Sequence, residues 1–179
     1  IFSFILLICF SPVLLIVAIT IILDDGFPII FKQKRMGQDN IHFWIYKFRT
    51  MKNKTPDVAS HLLKDSANLY TLVGPFLRKF SFDELPQLIN IIKGDMLFIG
   101  PRPALHNQDD LIRARIRAGV HTLIPGVTGW AQVNGRDELS IEDKVKMDEY
   151  YLNNKSLWLD IRILLMTLIK TLKKEGVSH

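Results

Sequence analysis

From Ile1 to Leu23 the chain carries no charged side chain, and this one feature limits what the rest can fold into. At about 1.5 Å of rise per residue, a helix of that length reaches roughly 34 Å, enough to cross a hydrocarbon layer of about 30 Å. The 23 Lys and Arg and the 18 Asp and Glu all fall after it. The organisation predicted is a membrane segment at 1–23 joined to a polar domain at 24–179. That excludes a wholly soluble chain and a multi-helix transporter, and the patterned hydrophobicity excludes intrinsic disorder.

Ser11-Pro12 stands at the midpoint of the apolar run. Proline removes a backbone donor and crowds the carbonyl four residues back, so it can bend a helix at membrane depth. Two readings follow: a single spanning helix, or a re-entrant hairpin whose ends return to one face. A cleaved signal peptide fits neither flank, since no basic stretch precedes the run and no small-residue cleavage motif follows it. The chain opens on isoleucine, and its natural start is expected upstream.

Lys32, Lys34 and Arg35 lie close beyond the apolar run, and the excess of Lys and Arg beside a membrane helix places the polar domain on the cytoplasmic side. A net charge of +5 with a pI near 9.4 suits anionic lipid headgroups or phosphate-bearing ligands. Nucleic acid is not expected as a partner, because the basic residues are dispersed and form no recognisable binding motif. The one cysteine, Cys9, lies in the apolar run and implies neither a disulfide framework nor a zinc site.

The polar part reads as mixed α/β and helix-rich. Pro28 to Phe31 and Ile41 to Phe48 form the arms of a short β-hairpin, with a turn across Met36 to Asn40. A short helix is expected over 61–72, ended by Gly74-Pro75. Ser81-Phe82-Asp83-Glu84 matches a capping box, with Ser81 as N-cap and Glu84 at the third helical position, and predicts a helix running to Gly94. Pro86 admits a later start. Further helices are expected over Asp109 to Val120, Ile141 to Tyr151 and Leu157 to Lys174. The last has a polar stripe at Asp160, Thr167, Thr171 and Lys174 and a wide apolar remainder, a pattern compatible with core or with a membrane interface.

No P-loop, dinucleotide fingerprint, serine elbow or Cys/His metal spacing is present, and His42, His61, His106, His121 and His179 are scattered. What remains is Asp83-Glu84 amid basic residues: Lys47, Arg49, Arg78, Lys79, Arg102 and Arg136. Arginine offers a planar fork to phosphate oxygens, a carboxylate can hold Mg²⁺ against a diphosphate, and aspartate can attack phosphorus. The plainer alternative is that Glu84 caps, Asp83 complements the helix dipole and the arginines form surface pairs. Arg102, between Pro101 and Pro103, is held more firmly than on a flexible loop.

Several blocks, in order and nearly end to end, resemble the bacterial sugar transferases, the monotopic phosphoglycosyl transferases. They are Ser11-Pro12, Tyr46-Lys47-Phe48-Arg49-Thr50-Met51, Asp83-Glu84-Leu85-Pro86-Gln87-Leu88, Lys93-Gly94-Asp95-Met96, Gly100-Pro101-Arg102-Pro103, and the run Pro125 to Arg136. The resemblance implies a re-entrant membrane helix broken at Ser11-Pro12 and a small catalytic domain with interfacial helices on the cytoplasmic face of the bacterial inner membrane. It implies Mg²⁺-dependent transfer of a sugar 1-phosphate from a UDP-sugar to polyprenol phosphate, with release of UMP. Asp83 becomes the nucleophile and a metal contact, Glu84 its essential neighbour, and Arg49, Arg78, Arg102 and Arg136 candidate phosphate ligands. Membrane phospholipids are the further partner. The family's usual basic stretch before the apolar segment is absent, and the chain stops at His179 where some relatives continue. The overall likeness is to the small initiators of glycoprotein glycan assembly, with the sugar itself unassigned. The rival class is a membrane-anchored protein that binds phosphorylated ligands without turnover.

Overall fold

A computed structural model describes residues 2–53, 55, 69–135 and 138–173, and within it helices dominate over two small sheets. Of the expected helix over 61–72, residues 61–68 lie outside the described residues, and Leu69 to Leu72 are not α-helical, Tyr70 forming an isolated antiparallel bridge with Met51. The chain divides into two compact units, the first drawing on the amino end to Gln33 and Ile45–Ile92, the second on Lys34–Trp44 and the chain from Lys93 onward. The apolar helices pack into the same unit as the Asp83 segment.

The first unit opens with α1 (Phe2–Cys9) and α2 (Ser11–Asp25), bent 56° from one another. Among the described residues no single helix is long and apolar enough to cross a membrane; the bent pair passes that test together, by length and composition. Pro12 lies in the first turn of α2, where a missing N–H costs least. The Ile8 carbonyl, which residue 12 would serve in an unbroken helix, accepts instead from the Ser11 hydroxyl at 2.7 Å. Ser-Pro thus makes the break and satisfies one of the groups it exposes.

α2 buries Val17 and Ile21 against Phe48 of the hairpin and Leu77 of α3 (Gly74–Lys79), with Phe82 packed on the same cluster. The C-terminal end of α2 is tied down by polar contacts. Asp24 accepts from the Val73 N–H at 2.9 Å, and Gly26, with φ at +68°, returns its N–H to the Ile22 carbonyl. Such a positive-φ conformation is glycine's ordinary use.

The predicted hairpin is present as β1 (Ile30–Met36) and β2 (His42–Phe48), which form a two-stranded sheet. β1 extends further toward the turn than the apolar run alone suggested. Its alternating Lys and Gln residues satisfy strand geometry with one side solvated. α4 (Gln87–Lys93) follows the Asp83 segment and is fixed to β2 by Asn90, fully buried, whose Oδ1 accepts from the Tyr46 N–H at 3.1 Å.

In the second unit, β3 (Leu97–Ile99) pairs in parallel with β4 (Gly126–Thr128), Leu97 opposite Gly126 and Ile99 opposite Thr128. This pairing joins segments nearly thirty residues apart and was not foreseen. α5 (Asp109–Arg117), α6 (Trp130–Val133), α7 (Ile141–Asn154) and α8 (Leu157–Lys173) complete it. Ser140 caps α7, its hydroxyl accepting from the Asp143 N–H at 3.1 Å.

On α8, Asp160 and Thr167 of the polar stripe are half-buried and paired, whereas Thr171 is exposed. Asp160 accepts from the Tyr151 hydroxyl at 2.8 Å and Thr167 shares a hydrogen bond with Thr128 at 2.7 Å, while Leu159 and Ile163 enter a core with Val133 and Tyr151. The apolar remainder, including Leu157, Trp158, Leu164, Leu165, Leu168 and Ile169, is exposed. Water does not reward so wide an exposed apolar face.

Candidate active site

Asp83 and Glu84 do not sit in the first turn of an α-helix. Ser81 adopts a left-handed conformation, φ +56° and ψ +22°, and makes no side-chain cap, so the expected capping box is not formed. Phe82–Glu84 is instead one 3-10 turn, and α4 begins only at Gln87, directly after Pro86. The proline explains the shift: it suits the threshold of a helix and not its interior. Phe82 enters the apolar core of the first unit and anchors the turn, leaving Asp83 buried at 8% exposure.

Glu84, released from capping, takes a different partner: its Oε1 lies 2.6 Å from Lys47 Nζ, with both side chains largely shielded. Lys47 projects from β2, the strand held to α4 by Asn90. β2 is thereby tied to the turn by one ion pair and to α4 by one hydrogen bond. Lys47, merely one of several basic residues in the sequence, becomes a primary contact of the carboxylate pair. Its place in the Tyr46 to Met51 block was the available signal.

Arg78, at the end of α3, donates Nε to the Thr50 hydroxyl at 3.0 Å and Nη1 to the Tyr70 hydroxyl at 3.0 Å, with its guanidinium carbon 4.9 Å from the Tyr70 ring centroid. Thr50 entered the sequence reading only as part of the Tyr46 to Met51 block, and Tyr70 not at all. They hold the planar group in one orientation, which an aliphatic partner could not do.

Burial pushes the Asp83 carboxyl up to about 6; Glu84 adds to this, while Lys47, Arg78 and a hydrogen bond with its own backbone oppose it. An acid in this state is ionised at neutral pH yet poorly solvated. A carboxylate held ready in a largely buried place, beside two cations, is suited to attack an electrophile that arrives with its own negative charge.

Arg49 has a structural post. It is 5% exposed and donates Nη2 to the carbonyls of Asp25 and Gly26 at 2.9 and 2.7 Å, while Nη1 lies 3.0 Å from Asp25 Oδ2 as an ion pair out of line for a hydrogen bond. These contacts cap the C-terminal, negative end of α2. Arg49 therefore tethers the apolar helix to the segment that carries Thr50.

Arg102 belongs to the second unit and is half-buried in the Pro101–Pro103 turn. Arg136 lies outside the described residues. Among the described residues no group of three or more His, Cys, Asp and Glu side chains is placed to hold a metal ion. The adjacent carboxylates of Asp83 and Glu84 are hard oxygen donors on a single turn, an arrangement compatible with Mg²⁺ that also takes ligands from a substrate phosphate and water.

The bacterial sugar transferase family model matches residues 1–174. The chain is 42% identical over 174 residues to the uncharacterized sugar transferase EpsL of Bacillus subtilis, covering 97% of this chain and 85% of that protein. It is 39% identical to a UDP-N-acetylgalactosamine-undecaprenyl-phosphate N-acetylgalactosaminephosphotransferase of Aeromonas hydrophila, over 89% of this chain and 39% of the relative. To the UDP-glucose:undecaprenyl-phosphate glucose-1-phosphate transferase of Escherichia coli it is 38% identical, over 92% and 37%. The chain spans less than two-fifths of the length of these last two relatives. With the carboxylate turn, its basic neighbours and the Ser-Pro break all lying inside the matched span, the chain belongs to the bacterial sugar transferase family, a family of transferases.

Proposed function

We propose that the protein transfers a sugar 1-phosphate from a UDP-sugar to undecaprenyl phosphate in two half-reactions. In the first, an Asp83 carboxylate oxygen attacks the sugar-bearing phosphorus; the new acyl phosphate bond forms as the diphosphate bridge breaks, and UMP leaves with the bridging oxygen. In the second, an oxygen of the polyprenol phosphate attacks the same phosphorus. The polyprenol diphosphate sugar forms and Asp83 is released as a carboxylate, so no water is consumed.

The observation that carries this reading is the buried Asp83, flanked by the Lys47–Glu84 ion pair and by Arg78. Like charges repel an anionic nucleophile from a diphosphate, and the two cations reduce that barrier. Glu84 holds the Lys47 ammonium beside Asp83. Mg²⁺, if bound by Asp83 with the donor phosphates, supplies further neutralisation of charge on the leaving group. Arg102 and Arg136 remain candidate phosphate contacts, whereas the contacts of Arg49 favour a tethering role over direct ligation.

The bent α1–α2 pair and the outward apolar face of α8 support placement at the cytoplasmic face of the bacterial inner membrane, where a lipid acceptor and a soluble donor can meet. The names of the relatives cover glucose, galactose and N-acetylgalactosamine, so the donor is to be found by assay.

The test is UMP release from a panel of UDP-sugars. Without acceptor, the wild-type chain should give a burst near one UMP per molecule; with undecaprenyl phosphate it should turn over. Asp83→Asn should do neither, and wild-type rates in that variant would overturn the assignment. Binding of UDP-sugar with no UMP from any donor would favour a ligand-holding protein instead.

A further inference from the structure

The segment from Pro101 to Ala104 belongs to no helix or strand, yet its four carbonyls are each held by a donor from elsewhere in the second unit. Pro101 accepts from the Gly126 N–H at 3.0 Å and Ala104 from the Met36 N–H at 2.9 Å. Pro103 accepts from Arg35 Nη1 at 3.0 Å and Arg102 from Arg115 Nη1 at 2.7 Å. The flanking backbone is equally confined, since a Cβ on Gly129 would collide with the Gly100 carbonyl oxygen.

Arg115 is itself locked. Its Nε and Nη2 both reach Asp148 Oδ2, at 3.1 and 2.7 Å, and Asp148 is 1% exposed. Burial pushes the Asp148 carboxyl up from its ordinary value while Arg115 draws it back down. A buried ion pair is a weak source of net stability, because desolvation offsets most of its attraction. A backbone amide or a water could satisfy the Arg102 carbonyl more cheaply. What the pair adds is geometry: a planar fork gripped on one edge by a carboxylate presents its remaining nitrogen in a fixed direction.

We infer that Arg115 and Asp148 are positioning residues for Arg102, with Asp148 locking the Arg115 guanidinium and Arg115 holding the Arg102 carbonyl so that the turn presents one arrangement to an anionic donor. This rests on the proposed reading of Arg102 as a phosphate contact and deepens it. α5 and α7 thereby act on Arg102 through a single carbonyl.

The experiment is a double-mutant cycle on the full chain in lipid nanodiscs, using whichever of UDP-glucose, UDP-galactose and UDP-N-acetylgalactosamine the wild type turns over fastest. Arg115→Lys keeps a cation for Asp148, but one ammonium cannot reproduce the fork that also reaches the Arg102 carbonyl. Arg115→Lys and Arg102→Lys should each lower kcat/KM about tenfold, and the double variant should fall no more than about twofold below Arg102→Lys alone. Asp148→Asn should repeat the pattern. Rates are expressed per site able to release UMP, so unfolded protein lowers the number of sites and not the rate. Full additivity, or a loss confined to the number of sites in both the Arg115 and Asp148 variants, would make the pair purely structural and overturn the inference. A sensitive Arg102→Lys beside an indifferent Arg115→Lys overturns it alone; an indifferent Arg102→Lys removes the reading of Arg102 and this inference with it. UMP release remains the separate gauge of Asp83.

Discussion

Asp83 is a costly residue for the fold to keep. Its carboxyl, ordinarily near 3.8, is raised to about 6, chiefly by burial. Between those values the folded chain holds a proton that the unfolded chain has lost, so stability falls as pH rises through this window and the loss is complete above about 6. The shift corresponds to about 3 kcal/mol at neutral pH as an upper figure. Asp83→Asn should therefore melt several degrees higher than wild type at pH 7.5 in EDTA, with the difference vanishing near pH 4, while UMP release is lost. A variant that is inactive and less stable at neutral pH would mean that Asp83 serves the fold. The same ionisation predicts that the first half-reaction slows below about pH 6, since only the carboxylate attacks; a rate flat from pH 5 to 8 would contradict it. Lys47 can be separated from general packing in the same way. Lys47→Met removes a cation that opposes the burial effect on Asp83, so the limb should move to higher pH, whereas Lys47→Arg should largely keep it in place.

At the scale of elements, the break between α1 and α2 and the outward face of α8 carry the membrane argument. Ser11 serves the Ile8 carbonyl because Pro12 cannot. In Pro12→Ala the restored N–H can close the helix, and the straightened segment should move toward spanning. A tag on the amino end should be reachable only from the cytoplasm in the wild type and should become accessible from the periplasm in the variant; no change would mean that the core around Val17 and Ile21 holds the bend by itself. α8 leaves Trp158 at 79% exposure among exposed leucines. With Trp44 and Trp130 replaced by Phe, emission from Trp158 should be quenched by brominated lipid and should shift to shorter wavelength in vesicles. An unquenched Trp158 would place that face in water or against protein.

For the molecule as a whole, charge and apolar surface should act separately. A chain of net charge +5 should associate faster with anionic than with neutral vesicles, and salt should remove that advantage without releasing protein already inserted. EDTA should abolish turnover and Mg²⁺ restore it, with vesicle association unchanged; activity that survives EDTA would remove the metal from the reading. How far these properties were legible beforehand differs from residue to residue. The uncharged stretch to Leu23, the Ser-Pro break, the hairpin turn, the long helices and the Asp83-Glu84 pair all rest on local pattern, and period, proline chemistry and charge are properties of neighbouring residues. Tertiary structure alone decided that Glu84 answers Lys47, that Arg49 closes the end of α2, and that Arg115 and Asp148 hold the Arg102 carbonyl. Each of these joins groups separated along the chain, where an arginine or a carboxylate has many chemically equivalent partners and only packing selects among them.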